Sequence, residues 1–499
     1  MADSRSLVLI TVDCLRADHV GFMGYDRPTT PFLDSLAEEA LVFPTAIVGG
    51  APTYYSIPAI LASRHPLSLG RDLVGLAPEE PNLASVLQQS GYVTAFFGAA
   101  NPYLSPKFGY DRGFDTFRDF LDGELAAIPN VPANENCELS VRNQVNRSLG
   151  SMFHKLGPLG TLYDEFYFQY CQRVATPRRG SLDNLRRFPA ADVVVDQARA
   201  WLASVGKSRF FLWLHLMDPH SPYYPTQKAL GLMGQENVTP FRARYLNSYW
   251  SRSDLAPTRL RRYRQGVIAL YDAGIRWVDT QVARLVETLR RFHLWDNCLF
   301  AFTADHGEEF LDHDGRYHPP STSREEIIHV PLFLRAPGMR KIQLSQIPFS
   351  HVHLAPTLLD AIGAPVPAEF EGRSHWPQLQ EGTSWDEPAI VESVASCTNP
   401  LRSETRVGPR VLTIRDVRYK LILQFDSGGE QLFDLEADPS EQNPLPRDAG
   451  KAARRHLLEH ARQHLERSWQ KRDAPRRLKA VLRELRLPLS AAPESGRSV

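Results

Sequence analysis

Three residues have the types and positions to hold a divalent cation: Asp13, Asp305 and His306. The apolar run Leu7–Val8–Leu9–Ile10–Thr11–Val12 stops on Asp13, and Leu299–Phe300–Ala301–Phe302–Thr303–Ala304 stops on Asp305–His306–Gly307. Carboxylate oxygens and imidazole nitrogens are hard to borderline donors. The C-terminal edge of the strands is where open α/β sheets bind ligands. Two strand ends from opposite parts of the chain therefore predict one composite metal site, with metal-assisted hydrolysis as its chemistry. Thr53 and Ser56 follow Gly49–Gly50 at the start of an expected short helix, whose free N–H groups favour anions. Both hydroxyls also suit helix capping. As a nucleophile, a hydroxyl needs activation, which the ion would supply. His220, between Pro219 and Pro222, lies in a stiffened loop and is expected to donate a proton or bind an anion. His318, beside Pro319 and Pro320, is chosen over His313 as the histidine of its loop that faces the site. His215 lies inside an apolar run and reads as a core histidine.

Short apolar, β-rich runs at residues 8–12, 93–97, 210–215, 298–303 and 330–334 predict strands. Helical patterns fall between them at 30–41, 82–90, 190–203 and 265–292. In the last, Ile268, Tyr271, Ile275, Val278, Val282 and Leu285 repeat at three- and four-residue steps, which makes one buried face. Alternating strands and helices predict an α/β fold: a mostly parallel sheet sandwiched by helices. Residues 119–190 break the rhythm and read as an insertion overhanging the site. From about residue 410 three strands predict a small antiparallel sheet, with a turn at Asp426–Ser427–Gly428–Gly429. The chain is thus divided into an α/β domain over 1–400, a β subdomain over 401–449 and a basic helical tail over 450–499.

Lys+Arg and Asp+Glu both number 57, so net charge is zero and no global field favours nucleic acid. The basic tail is interspersed with acidic residues and reads as a solvated or packing helix. Five scattered cysteines, without paired spacing, argue against a disulfide framework or a cysteine-rich zinc site. No apolar run approaches the ~20 residues of a membrane helix, and no secretory leader pattern opens the chain. A cytoplasmic protein without membrane association is expected.

Taken in order, several stretches resemble the sulfatase family within the alkaline-phosphatase superfamily. They are Thr11–Val12–Asp13–Cys14–Leu15–Arg16, Arg27–Pro28–Thr29–Thr30–Pro31, Gly109–Tyr110–Asp111–Arg112–Gly113–Phe114–Asp115, Met217–Asp218–Pro219–His220, Thr303–Ala304–Asp305–His306–Gly307–Glu308, His329–Val330–Pro331–Leu332, Ala355–Pro356–Thr357 and Leu432–Phe433–Asp434–Leu435. The resemblance implies an α/β core with a smaller C-terminal sheet, cleavage of a sulfate or related ester, and one divalent ion, often calcium, with magnesium, manganese or zinc as alternatives. The expected partner is a small-molecule or glycan sulfate or phosphate ester, and Arg16 is expected either to support the transferred group or to form a structural ion pair. Three departures stand out. Aligning Ile60–Leu61–Ala62–Ser63–Arg64–His65–Pro66 on the family pattern places Thr53 where a Cys or Ser is converted to formylglycine. Cys14 replaces the second aspartate of the usual pair, and a lysine expected near Ala99–Asn101 is missing. Threonine cannot become formylglycine, because its Cβ carries a methyl group. It is, however, the nucleophile of phosphate-processing relatives, which predicts a phosphate or phosphonate ester beside sulfate. The alternative is an inactive protein that binds a sulfated or phosphorylated ligand.

Overall fold

The computed structural model describes residues 5–71, 73–121, 158–175, 181–338, 344, 346–425 and 427–484. Every residue of the strands Ser6–Val12, Phe210–Leu216 and Cys298–Ala304 is buried, as near-continuous apolar runs in a covered parallel sheet should be. They are central in a seven-stranded sheet ordered Leu41–Val42, Leu332–Arg335, Cys298–Ala304, Ser6–Val12, Phe210–Leu216, Val93–Gly98, Thr116–Arg118. Neighbours run parallel except at Leu332–Arg335, which is antiparallel to both strands beside it. Val12 pairs with Ala304 on one side and Leu216 on the other. The three central strands therefore end level, and whatever follows each emerges at one place.

The expected strand at 330–334 is split at Pro331. His329–Val330 pairs with Ala46–Ile47 in a three-stranded sheet, and Leu332–Arg335 joins the large one. Proline has no N–H to give a ladder, so the chain changes sheets there.

Helices flank the sheet. Pro257–Arg291 buries the expected stripe and starts earlier than residue 265, with Pro257 in the first turn, where its fixed φ suits a helix start. Pro31–Ala37, Ala191–Val205, Gln227–Leu232 and Pro240–Trp250 pack on it. Thr53–Ala62 is buried along its whole length and packs against Leu354–Ala361.

The C-terminal sheet has four antiparallel strands: Ala389–Val394, Arg410–Arg415, Tyr419–Gln424 and Gly429–Asp434. The first lies upstream of residue 401, where the sequence places the start of the subdomain. The helix Lys451–Glu484 lies on the middle strands, where Leu457 and Ala461 complete a small core with Leu412, Ile414, Leu421 and Leu432. Of the insertion at 119–190, the described part includes the helix Pro158–Tyr170, whose Phe168 ring meets Tyr245 and Tyr249. Residues 122–157 and 176–180, Asp426 of the expected turn and the tail beyond 484 lie outside the described residues. Among the described residues no helix is long and apolar enough to cross a membrane.

Candidate active site

Asp13 and Asp305 leave neighbouring parallel strands side by side. The Asp13 N–H donates to Leu216 O at 2.8 Å and the Asp305 N–H to Val12 O at 3.4 Å, so both begin their loops still tied to the sheet. Asp13, Asp305 and His306 are fully buried, and one ligand atom of each lies within 4.8 Å of the others. His306 donates from Nδ1 to Gly307 O at 2.8 Å. That bond fixes the tautomer and leaves the Nε2 lone pair free. Nε2 lies 3.6 Å from both Asp13 Oδ1 and Asp305 Oδ2. Among the described residues Asp305 Oδ2 accepts no hydrogen bond. Burial disfavours charge on Asp13, yet the facing His220, His215 and His306 hold its carboxyl well below the usual range. Burial and the Asp13 charge push Asp305 up. Two buried carboxylates, one of them with an unbonded oxygen, and an imidazole nitrogen within 4.8 Å of one another form a donor set that fits a divalent ion.

Thr53 is the first residue of its helix, after Pro52 at the cap. Neither Thr53 nor Ser56 caps it. Thr53 Oγ1 sits 3.3 Å from His306 Nε2 and 3.5 Å from Asp13 Oδ2, whereas Ser56 Oγ donates back to Thr53 O at 3.2 Å. His318 Nδ1 lies 3.3 Å from Cys14 Sγ and 3.4 Å from Glu308 Oε1, with its ring 4.6 Å from that of His306. A ring nitrogen of His220 is within 4.8 Å of ligand atoms of Asp13 and Cys14, and its Nδ1–H donates to Ser221 O. His313 turns instead to Glu326, 2.7 Å away.

Of the two readings of Arg16, its contacts are those of a structural ion pair. Its guanidinium donates twice to Asp18, at 2.7 and 2.8 Å, and to Asp312 and Glu308 O at 2.8 and 3.0 Å. It ties the 308–312 loop to the first strand end, and its charge is spent within the protein.

The sulfatase family model matches residues 5–364, and the model for the C-terminal region of N-sulphoglucosamine sulphohydrolase matches 316–468. The chain belongs to the sulfatase family. An arylsulfatase of Clostridium perfringens is 26% identical over 471 residues, covering 88% of this chain and 90% of that one. A choline-sulfatase of Rhizobium meliloti is 30% identical over 388 residues, covering 73% and 67%. The solved phosphonate monoester hydrolase of Silicibacter pomeroyi superposes with a TM-score of 0.65 at 22% identity, covering 94% and 96%.

Four residues that sequence reasoning left outside the site are part of it. Asn101 Nδ2 donates to Asp13 Oδ2 at 2.9 Å. His215, read as a core histidine, is indeed buried and satisfied, but its Nε2 lies 3.3 Å from the same oxygen. Trp213 Nε1 donates to Thr11 Oγ1 at 2.9 Å, and the Thr11 hydroxyl lies 2.9 Å from His215 Nδ1 and 3.3 Å from Leu214 O, so it holds the imidazole beside Asp13. Glu308 and Cys14 are fully buried beside His318. Glu308 stands in the same Asp–His–Gly–Glu run as Asp305 and His306, which is the only sequence signal it had. A separate cavity of about 310 Å³, lined by His65, His353, Glu387 and His464, contains none of these residues.

Proposed function

We propose that this chain hydrolyses a sulfate, phosphate or phosphonate ester of a small molecule or glycan, with Thr53 as nucleophile and one divalent ion on Asp13, Asp305 and His306. One observation carries the reading: the Thr53 hydroxyl lies against His306 Nε2 and Asp13 Oδ2 at the N-terminus of a buried ten-residue helix. An ion bound there would neutralise the ester oxygens and lower the cost of ionising that hydroxyl. The chain's own groups supply the rest. Thr53, its proton released to solvent, attacks sulfur or phosphorus; the bond from Oγ1 to sulfur or phosphorus forms as the bond to the alcohol oxygen breaks. An imidazolium of His220 or His318 gives its proton to the departing alkoxide. Water then gives one proton to the imidazole and attacks the sulfur or phosphorus of the threonine ester; the Oγ1 bond to that atom breaks, the anion leaves, and Thr53 Oγ1 takes a proton back from solvent. His220 and His318, with ring centroids 5.2 Å apart, face the same centre and serve as proton carriers or anion contacts. Relatives that are an arylsulfatase and a choline-sulfatase support the ester class, and a phosphonate monoester hydrolase shares the fold.

The test is hydrolysis of matched aryl sulfate, phosphate monoester, phosphodiester and phosphonate ester by wild type and Thr53→Ala, each metal-loaded and chelated. We expect metal-dependent turnover, abolished in Thr53→Ala, with the preferred ester naming the substrate. Silence on all four from folded, loaded protein would transfer the reading to a ligand-binding protein. Turnover surviving in Thr53→Ala would remove the threonine from its role.

A further inference from the structure

We infer that Cys14 supplies a thiolate to the ion held by Asp13, Asp305 and His306, so that the centre takes a borderline ion of the zinc and cobalt class in preference to calcium. The inference rests on the reading above that these residues hold an ion, and it departs from the calcium that the sequence resemblance implies.

Cys14 Sγ is 3.1 Å from Asp13 Oδ1 and 3.3 Å from His318 Nδ1. It lies within 4.8 Å of nitrogens of His306 and His318, and in a second grouping within 4.8 Å of Asp13 and His220. Asp13 and His306 belong both to the carboxylate grouping and to these sulfur-containing ones. Asp13 Oδ1 thus has His306 Nε2 at 3.6 Å and the thiol at 3.1 Å. The backbone is bent to achieve this. Cys14 has φ 61, a left-handed conformation that costs a non-glycine residue on the order of 1–3 kcal/mol unless its surroundings impose it. The Tyr271 hydroxyl, donating to Cys14 O at 2.7 Å, and the Cys14 N–H, donating to Asp305 Oδ1 at 3.3 Å, hold that turn.

Glu308 is an independent sign of a cation. It is fully buried, and among the described residues neither of its side-chain oxygens makes a hydrogen bond. Its Oε1 is 3.4 Å from His318 Nδ1. A buried carboxylate without a hydrogen bond is costly unless positive charge compensates it. A carboxylate set behind an imidazole is also the arrangement that orients histidines around metals.

The donor chemistry decides which ion. Calcium takes about six to eight oxygen donors and gains little from sulfur or imidazole. Zinc accepts sulfur, nitrogen and oxygen together in a four-coordinate shell, and Cys14 adds sulfur to the groupings that contain Asp13 and His306. On binding, the Cys14 S–H bond breaks, a sulfur–metal bond forms and the proton goes to solvent. Nothing is oxidised or reduced.

The experiment is titration of metal-free protein with cobalt(II), followed by absorption spectroscopy of wild type, Cys14→Ser and Cys14→Asp, with folding checked by circular dichroism. Wild type should show visible ligand-field bands and a near-ultraviolet thiolate-to-cobalt charge-transfer band. The variants should keep the first and lose the second. In competition between zinc and calcium, measured as bound metal after dialysis, Cys14→Asp should shift the ratio toward calcium by about tenfold or more. Ligand-field bands without charge transfer in wild type would overturn the thiolate and leave the ion reading standing. Retention of calcium over zinc by wild type would also overturn it. Protein that binds neither ion would remove both readings.

Discussion

Asp13 is gripped from several sides, and each grip has a purpose. Asn101 and His215 both reach Oδ2, which leaves Oδ1 to face His306 and Cys14. Without those donors the carboxylate could rotate, and the ion site would lose its geometry. Asn101→Ala is therefore expected to weaken divalent-ion binding by about 10–100-fold, as removal of groups behind metal ligands does, with little effect on folding. Chelator competition measures it; unchanged affinity would make Asn101 a packing residue only. Thr53 gains its place differently. The helix is capped by Pro52 and uses no threonine hydroxyl, so Oγ1 is left for the centre. Ser56, one turn on, spends its hydroxyl on the backbone, and Arg16 spends its charge on Asp18 and Asp312. The sequence left both outcomes open, because residue type says what a side chain can bond and not which partner lies nearest.

At the scale of elements, the site is made by strands that end level and by the turns that follow. Gly307 is the turn after Asp305–His306. Its carbonyl accepts the His306 Nδ1–H, and a Cβ added there would run into the Glu326 carbonyl. Gly307→Ala must push the two segments apart. We expect a loss of about 1–3 kcal/mol in stability from overpacking, accompanied by weaker metal binding, because the imidazole loses its fixed tautomer. Thermal denaturation with and without added ion separates the two effects. A variant that is less stable yet binds metal as wild type would confine the role of Gly307 to packing.

At the scale of the molecule, the C-terminal sheet is bolted to the α/β core through charges. Lys420, fully buried on the Tyr419–Gln424 strand, meets Glu325 of the core at 3.1 Å and Glu441 at 2.8 Å, and Arg415 adds a second cation 3.6 Å from Glu325. Burial opposes charge on Glu325, but Lys420 and Arg415 outweigh it and bring its pKa down from 4.5 to about 2. Because the folded value lies below the unfolded one, the stabilisation is complete above about 4.5 and is lost as pH falls toward about 2. Glu325→Gln should cost about 1–3 kcal/mol at neutral pH and flatten the acid limb of the stability curve. Denaturant melts across that range test it, and an acid limb as steep as that of wild type would assign the effect to another group.

The sequence by itself determined the fold class and the metal-type residues. Long apolar runs can be stable only as covered strands, and a carboxylate or imidazole that ends one must lie at the sheet's ligand edge. It also carried the family through the order of its motifs, and it showed Thr53 and Cys14 as departures. Only the tertiary structure decided which side chains meet. Asn101 and His215 reach Asp13 because Phe210–Leu216 stands in register beside the first strand and Val93–Gly98 beside Phe210–Leu216, which no local pattern encodes. Ala389–Val394 became a strand of the C-terminal sheet for the same reason: its partner, Arg410–Arg415, lies beyond a loop. Strand order, register and the aim of a side chain are set by contacts distant in sequence, and these exist only once the chain has folded.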